Sequence, residues 1–394
     1  MPGSVPSPAR HNPLTDLTLA QLRERTSAKW QRYAPDVLPL FVAEMDTPLA
    51  PPIEEALARA VHSGDMGYPE GHAYEEALAQ FAANRWDWPG ISPDHMAGVA
   101  DVISGYVSAL ALFTEPGDHV VVNPPVYPPF YSAVSASGRI VTEAPLGAHG
   151  RLDFDTIEEA LARAAAAGKR VALLLCSPHN PTGAVHTRRE LEHVAQLAHQ
   201  YNAGVVVDEI HAPLVFAPHT FVPYLTVDGG DTGISLMAAS KAWNLAGLKG
   251  ALMIAGTGAS SALERFRTIP HHGPSHLGAM AQTAAYRDGG AWLDELMAGL
   301  DNNRALLARL LSEQLPDVHC REPEATYLAW LDCSDLELPG EDPAAYFLEH
   351  ARVALNSGPT FGTGGAGHVR LNFATHPDIL TEAIRRLAAS TSAE

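Results

Sequence analysis

The sequence predicts an α/β protein: a large domain on a mainly parallel β-sheet flanked by helices, followed by a smaller α+β domain. Three observations carry this. From about residue 119, short apolar runs alternate with amphipathic segments: HVVVNPPVY, RVALLLCSPHN, AGVVVDEIH, GISLMAASK and GALMIAG. Such runs are the mark of strands buried on both faces. The length of 394 residues exceeds what one ordinary core organises. Beyond a long helical segment, two more apolar runs, TYLAWLDC and HVRLNFA, flank a shorter helical stretch, as expected of a second, smaller unit.

Taken in order, residues 1–50 read as an N-terminal arm that also contributes to the small domain, residues 51–290 as the large domain, and residues 291–394 as a linking helix with the small domain. Residues 1–13 are rich in Pro and Ser and lack the charged start and apolar middle of a signal peptide. They are expected to form a flexible arm, and the protein to be cytoplasmic. In DVISGYVSALALF, residues 101–113, Ser104 and Gly105 open an apolar helical run. Thr187 to Tyr201 reads as a helix begun by a T-x-x-E capping box at Thr187 and Glu190. Residues 291–315 carry apolar positions at helical spacing, and the small domain is expected from about residue 318.

Composition removes several classes of function. No stretch approaches the roughly 20 apolar residues that span a bilayer, and a formal net charge of −19 repels polyphosphates, so nucleic acid is not an expected partner. Cys176, Cys320 and Cys333 are odd in number and form no CxxC pair. This argues against a disulfide framework and against a zinc site. His211 with Asp208 and Glu209 lacks a second histidine at ligand spacing, so no metal is expected. GTGGAG at 362–367 matches G-x-G-x-x-G, but HVRLNFA after it reads as a strand where a dinucleotide fingerprint needs a helix.

Ligands of parallel α/β sheets bind at the carboxyl ends of the strands. Four such ends here carry chemistry: Tyr127, Asn180, Asp208 with His211, and Lys241. The chain has only four lysines, Lys29, Lys169, Lys241 and Lys249. An amine at a strand end suits a carbonyl cofactor held as a Schiff base. A buried carboxylate such as Asp208 keeps a pyridine nitrogen protonated, Asn180 and His211 suit a phenolic oxygen, and Tyr127 offers a face for stacking. Together these describe pyridoxal phosphate. Its phosphate would sit on the helix start at Ser104 and Gly105, with Ser240 and Lys249 as further contacts. Each residue also has a plain reading: Lys241 a surface lysine, Asp208 a cap, Asn180 in HNPTG a turn former. Arg370 suits a substrate carboxylate or an ordinary ion pair.

SPHNPTG, VVVDEIH and ASKAWNLAGLKG, in this order, resemble the fold-type I pyridoxal-phosphate enzymes. Within these the chain looks most like the MalY/PatB-type cystathionine β-lyases, or carbon–sulfur lyases, from about residue 35 to 385. FVAEMDTPLAPP, GDMGYP, NPPVYPPF, EATYLAWLDC and HVRLNFAT add to the match. The resemblance implies a seven-stranded sheet and roles for these positions. Lys241 would hold the cofactor and then act as base, Asp208 would pair with the pyridine nitrogen, Asn180 and His211 would bind the ring oxygen, and Tyr127 would stack on the ring. Ser104, Gly105, Tyr106, Ser240 and Lys249 would hold the phosphate. Arg370, with Asn180 and the segment around Asp46, would receive the amino-acid substrate. Tyr68 would reach a neighbouring subunit's phosphate, which implies a homodimer with shared sites. The sequence departs from the pattern twice: Ala238 stands where many fold-type I enzymes have Ser or Thr, and His211 where aminotransferases usually have Tyr.

The expected reaction is α,β-elimination from cystathionine or another cysteine S-conjugate, giving thiol, pyruvate and ammonia. Three rivals stay open on these residues. One is an aminotransferase. Another is a specialised biosynthetic enzyme that processes a cysteine conjugate by elimination or by oxidative deamination with decarboxylation. The last is a regulatory protein that retains the fold.

Overall fold

The computed structural model describes residues 11–268, 273–338, 340 and 342–391. Most of the expected N-terminal arm, residues 1–10, lies outside that range.

Thirteen strands are described. They are β1 (Leu38–Pro39), β2 (Met96–Val99), β3 (His119–Val122), β4 (Ile140–Glu143), β5 (Val171–Cys176), β6 (Gly204–Asp208), β7 (Ile234–Met237), β8 (Ala251–Ala255), β9 (His319–Cys320), β10 (Leu328–Asp332), β11 (Val353–Ala354), β12 (Asn356–Ser357) and β13 (His368–Asn372). Seven form the main sheet in the order β2-β8-β7-β6-β5-β3-β4. β8 runs antiparallel to both neighbours and the remaining pairings are parallel. Every residue of β5, β7 and β8 is buried, as strands covered by helices on both faces must be. Apolar clusters lie on each side of this sheet. One joins Val120, Leu174, Val206 and Leu236 to the helix Val102–Phe113. The other joins Leu173 and Val205 to the helices Phe154–Ala166 and Arg188–Gln200.

The helix Arg188–Gln200 starts as its sequence requires. Thr187 accepts from the Glu190 N–H at 3.3 Å while the Glu190 carboxylate accepts from the Thr187 N–H at 2.7 Å. Asp101 and Ser104 form a second capping box at the head of Val102–Phe113. The 25-residue helix Gly290–Gln314 buries Leu293, Leu296, Leu300, Leu307 and Leu310 in a third cluster. That cluster also holds Trp243, residues of the N-terminal segment and residues of β10 and β13.

The C-terminal part carries an antiparallel sheet, β12-β13-β10-β9. β1 pairs in parallel with β11 through Leu38 and Val353, so the N-terminal segment is stitched to the C-terminal unit. GTGGAG forms a loop rather than a nucleotide turn, with Gly362, Gly364 and Gly367 at positive φ. A Cβ at Gly362 would strike the Tyr131 hydroxyl. Among the described residues no helix is long and apolar enough to cross a membrane, and Cys176, Cys320 and Cys333 are free.

Candidate active site

The carboxyl ends of β3, β5, β6 and β7 open onto one cavity of about 190 Å³. Tyr127, Asn180, Asp208, His211, Ser240, Lys241 and Lys249 all line it, with Cys176 beside them. β6 ends on Asp208, which is buried, and its Oδ1 accepts from the Ile210 N–H at 3.1 Å. Burial pushes this carboxyl up to about 6; the Ile210 N–H and the charge of Lys241 pull the other way. Lys241, just past β7, is pulled down to about 8, first by burial and then by the like charge of Arg370, with Asp208 opposing. Its Nζ donates to the Ala43 carbonyl at 2.9 Å.

His211 is held well below the usual histidine range by burial and by the cations Lys241 and Arg370. Its ring is therefore neutral, and Nδ1 is buried without a hydrogen-bond partner. Arg370, on β13, donates from Nη1 to Asn180 Oδ1 at 3.0 Å and from Nη2 to the Phe41 carbonyl at 3.1 Å and Asn356 Oδ1 at 2.6 Å. Its Nε is buried without a partner. Burial lowers the guanidinium to about 10, which leaves it charged at neutral pH. Burial likewise raises the Tyr127 hydroxyl.

Not every expected residue reaches the cavity. Ser104 is occupied by the capping box: its N–H donates to Asp101 Oδ1 at 2.8 Å and its hydroxyl to the Asp101 carbonyl at 2.9 Å. The Gly105 N–H bonds the same carbonyl. Gly105 instead lets the helix approach β7, for a Cβ there would press on Leu236. Tyr106 is fully buried in the apolar layer and its hydroxyl donates to the Pro129 carbonyl at 3.1 Å. The helix begins at Val102 and its capping box satisfies the N–H groups of Asp101 and Ser104, so of the four without an intrahelical acceptor those of Val102 and Ile103 remain. Both line the cavity. Lys249 reaches this helix start as well, its Nζ 2.7 Å from Asp101 Oδ2. The helix start that borders the cavity thus lies two residues before Ser104 and Gly105, a placement that the D-x-x-S spacing of Asp101 and Ser104 encodes.

Asp46 is also elsewhere. It is buried between Lys29 Nζ at 2.8 Å and Trp30 Nε1 at 3.0 Å, which makes it an internal ion pair. Tyr68 is 98% exposed and lines a different cavity of its own chain. Sequence reasoning missed Tyr327, whose buried hydroxyl donates to the Ala43 carbonyl at 3.1 Å and whose ring meets His211 edge-on. It also missed Asn356. Tyr327 immediately precedes β10 and Asn356 opens the two-residue strand β12, and neither carries a sequence signal of its own.

A half-buried amine with a depressed pKa, a buried carboxylate, a neutral imidazole and a helix start around one cavity define an α/β enzyme site for an anionic carbonyl cofactor. The chain belongs to the aminotransferase class I and II family, whose model matches residues 35–387. It is 52% identical to a Mycobacterium tuberculosis protein provisionally named a cystathionine β-lyase, over 96% of this chain and 98% of that one. It is 36% identical to the cystathionine β-lyase of Corynebacterium glutamicum, over 94% and 98% of the two chains. A crystal structure from Corynebacterium diphtheriae, provisionally described as a PLP-dependent β-cystathionase, superposes with a TM-score of 0.90 at 37% identity, covering 97% of this chain and all of that one.

Proposed function

We propose that this protein is a pyridoxal-phosphate-dependent carbon–sulfur β-lyase that cleaves cystathionine or a related cysteine S-conjugate to thiol, pyruvate and ammonia. The observation that carries the reading is Lys241, half-buried at the cavity wall beside the buried Asp208 and lowered to about 8. The relatives named as lyases select elimination over transamination.

The residues fit this cofactor. His211 Nδ1 and Arg370 Nε are buried polar atoms without partners, Val102 and Ile103 at the helix start line the cavity, and Asp208 supplies a carboxylate. Val102, Ile103, Ser240 and Lys249 would hold the phosphate, Asp208 the ring nitrogen, Asn180 and His211 the phenolic oxygen, and Tyr127 the ring face. Bound there, pyridoxal phosphate supplies a carbonyl that condenses with amines and a ring that accepts the electron pair left at Cα.

The chain's own residues do the rest. At its lowered pKa, Lys241 is neutral often enough that it would hold the cofactor carbonyl and would take the proton from the substrate Cα. Asp208 stays ionised above about pH 6, and in that form keeps the ring nitrogen protonated. His211 and Asn180 would donate to the phenolic oxygen; with Asn180 Oδ1 taken by Arg370, its amide nitrogen is the group that faces this task. Arg370 receives the α-carboxylate through its open Nε–H. As the Cα proton leaves to Lys241 Nζ, the Cβ–S bond breaks and the sulfur departs with the pair as thiolate. The remaining carbon skeleton is hydrolysed to pyruvate and ammonia.

The exposed Tyr68 supports a homodimer in which it completes the partner's phosphate site. The pairing of β1 with β11 and the linking helix Gly290–Gln314 support the division into an arm, a large domain at 51–290 and a small domain at 291–394. The absence of paired cysteines among the described residues is compatible with a cytoplasmic location.

The test is to incubate the purified yellow protein with L-cystathionine or an S-alkyl-cysteine, without a keto acid, and to assay pyruvate and free thiol together. Sustained release of both in equal amounts is expected. A single turnover that resumes only when a keto acid is added would make the protein an aminotransferase instead.

A further inference from the structure

Arg370 is 4% exposed and carries its charge without a carboxylate partner among the described residues. Three neutral oxygens hold it instead: Asn180 Oδ1, Asn356 Oδ1 and the Phe41 carbonyl. The Phe361 ring lies beneath the guanidinium at 5.1 Å. A guanidinium has five N–H groups. Both hydrogens on Nη2 are engaged, one on Nη1 is engaged, and the Nε–H is buried without an acceptor. A buried cation in such a setting is costly unless an anion joins it.

Asn356 has the shortest of the three contacts, 2.6 Å. It lies directly opposite Arg370 across the β12–β13 pair, their Cα atoms in register. Cross-strand partners share one face of a sheet, so this contact is fixed by backbone pairing rather than by a flexible loop. An aspartate at this position would be nearly the same size and would complete an ion pair with Arg370. The sequence places the uncharged amide there.

We propose that Asn356 is a positioning and selectivity residue: it orients the Arg370 fork and, by being neutral, leaves the guanidinium charge for the α-carboxylate of the substrate. The inference rests on the lyase reading of the site and names what makes that site select a free amino acid. It follows that a ligand without a carboxylate has no use for Asn356, whereas a ligand with one depends on its neutrality.

The experiment compares the holoenzyme with Asn356→Asp and Asn356→Ala. Each is titrated with L-alanine, which has no leaving group, and with L-alaninamide, which lacks the carboxylate. Binding is read from the absorbance change of the bound cofactor. Asn356→Asp is expected to weaken L-alanine roughly 100-fold, as befits an internal carboxylate competing for a buried cation, and to leave L-alaninamide within about threefold. Asn356→Ala is expected to weaken L-alanine roughly fivefold and to spare L-alaninamide, and it keeps the test decisive if the Asp variant does not fold. Equal losses for both ligands would make Asn356 merely structural and overturn the proposal, as would no change for either. If the wild-type protein itself shows no cofactor absorbance, the lyase reading fails. If wild type binds cofactor and both ligands normally while the variants show no carboxylate-selective loss, only the role of Asn356 fails.

Discussion

Replacing Lys241 with Met in the cofactor-free protein is expected to raise its stability at neutral pH while abolishing catalysis. The lysine is lowered from 10.5 to about 8, chiefly by burial. At 1.36 kcal/mol per unit this is a cost of about 3 kcal/mol for keeping the amine charged inside the fold. The sign follows from proton counts. Below about pH 8 both folded and unfolded chains carry the proton, and the full cost is present. Between about 8 and 10.5 the unfolded chain holds a proton that the folded one has lost, so stability rises with pH. Met fills similar space without charge, and the gain at pH 7 is about 2 kcal/mol once the Ala43 carbonyl's lost donor is allowed for. The assay is thermal unfolding of both proteins after the cofactor is stripped with hydroxylamine. At pH 7 the variant is expected to melt a few degrees higher, an advantage that shrinks to near zero by pH 9.5. A variant that melts lower at pH 7, or whose advantage is flat with pH, would refute the claim that Lys241 is held in a costly, catalytically primed state.

Three more outcomes are expected from the same geometry. Asp208→Asn should cut the elimination rate by roughly 10²- to 10³-fold, because an electrostatic stabiliser of the developing charge is lost; kcat with S-alkyl-cysteine tests this, and a loss below about fivefold would deny Asp208 its role. Lys249→Ala should weaken cofactor binding roughly tenfold, measured by titrating the apoprotein with pyridoxal phosphate, and an unchanged affinity would assign Lys249 to Asp101 alone. Mixing Lys241→Ala protein with Tyr68→Ala protein should restore activity, since a mixed dimer holds one site with both residues intact. Failure to complement after subunit exchange would place Tyr68 outside the site.

The large domain was legible because its strands need only be apolar, and apolar runs such as VALLLC and GVVVD are read directly from sequence. The groups that end those strands were legible for the same reason: a polar residue closing an apolar run is conspicuous, and Asp208 and Lys241 both line the cavity. The helix start lies two residues before Ser104 because the Asp101 cap, not Gly105, sets it. The pairing of Asp46 with Lys29 on the short helix Ala28–Gln31 joins segments whose approach no periodicity announces.

The segment 41–45 shows why such segments escape a reading of the sequence. Its side chains form no repeat, because its backbone is what the site uses. The Phe41 carbonyl holds Arg370, the Ala43 carbonyl holds Lys241 and Tyr327, and the Val42 and Glu44 carbonyls accept from Asn372 Nδ2 at 2.7 Å each. Asn244, three residues after Lys241, clamps Met45 by both its N–H and its carbonyl at 2.8 Å. Every residue type has the same carbonyl, so composition and spacing carry no trace of these contacts. They have a chemical consequence all the same. The acceptors that wait on Lys241 and Arg370 belong to one short strap tied to β13, so the amine proposed to take the proton and the guanidinium proposed to grip the carboxylate are set by the same piece of backbone. A substitution that loosens the strap, such as Asn244→Ala, should therefore disturb proton transfer and carboxylate binding together, lowering kcat and raising KM at once. A variant that moved only one of the two would show that the strap does not couple them.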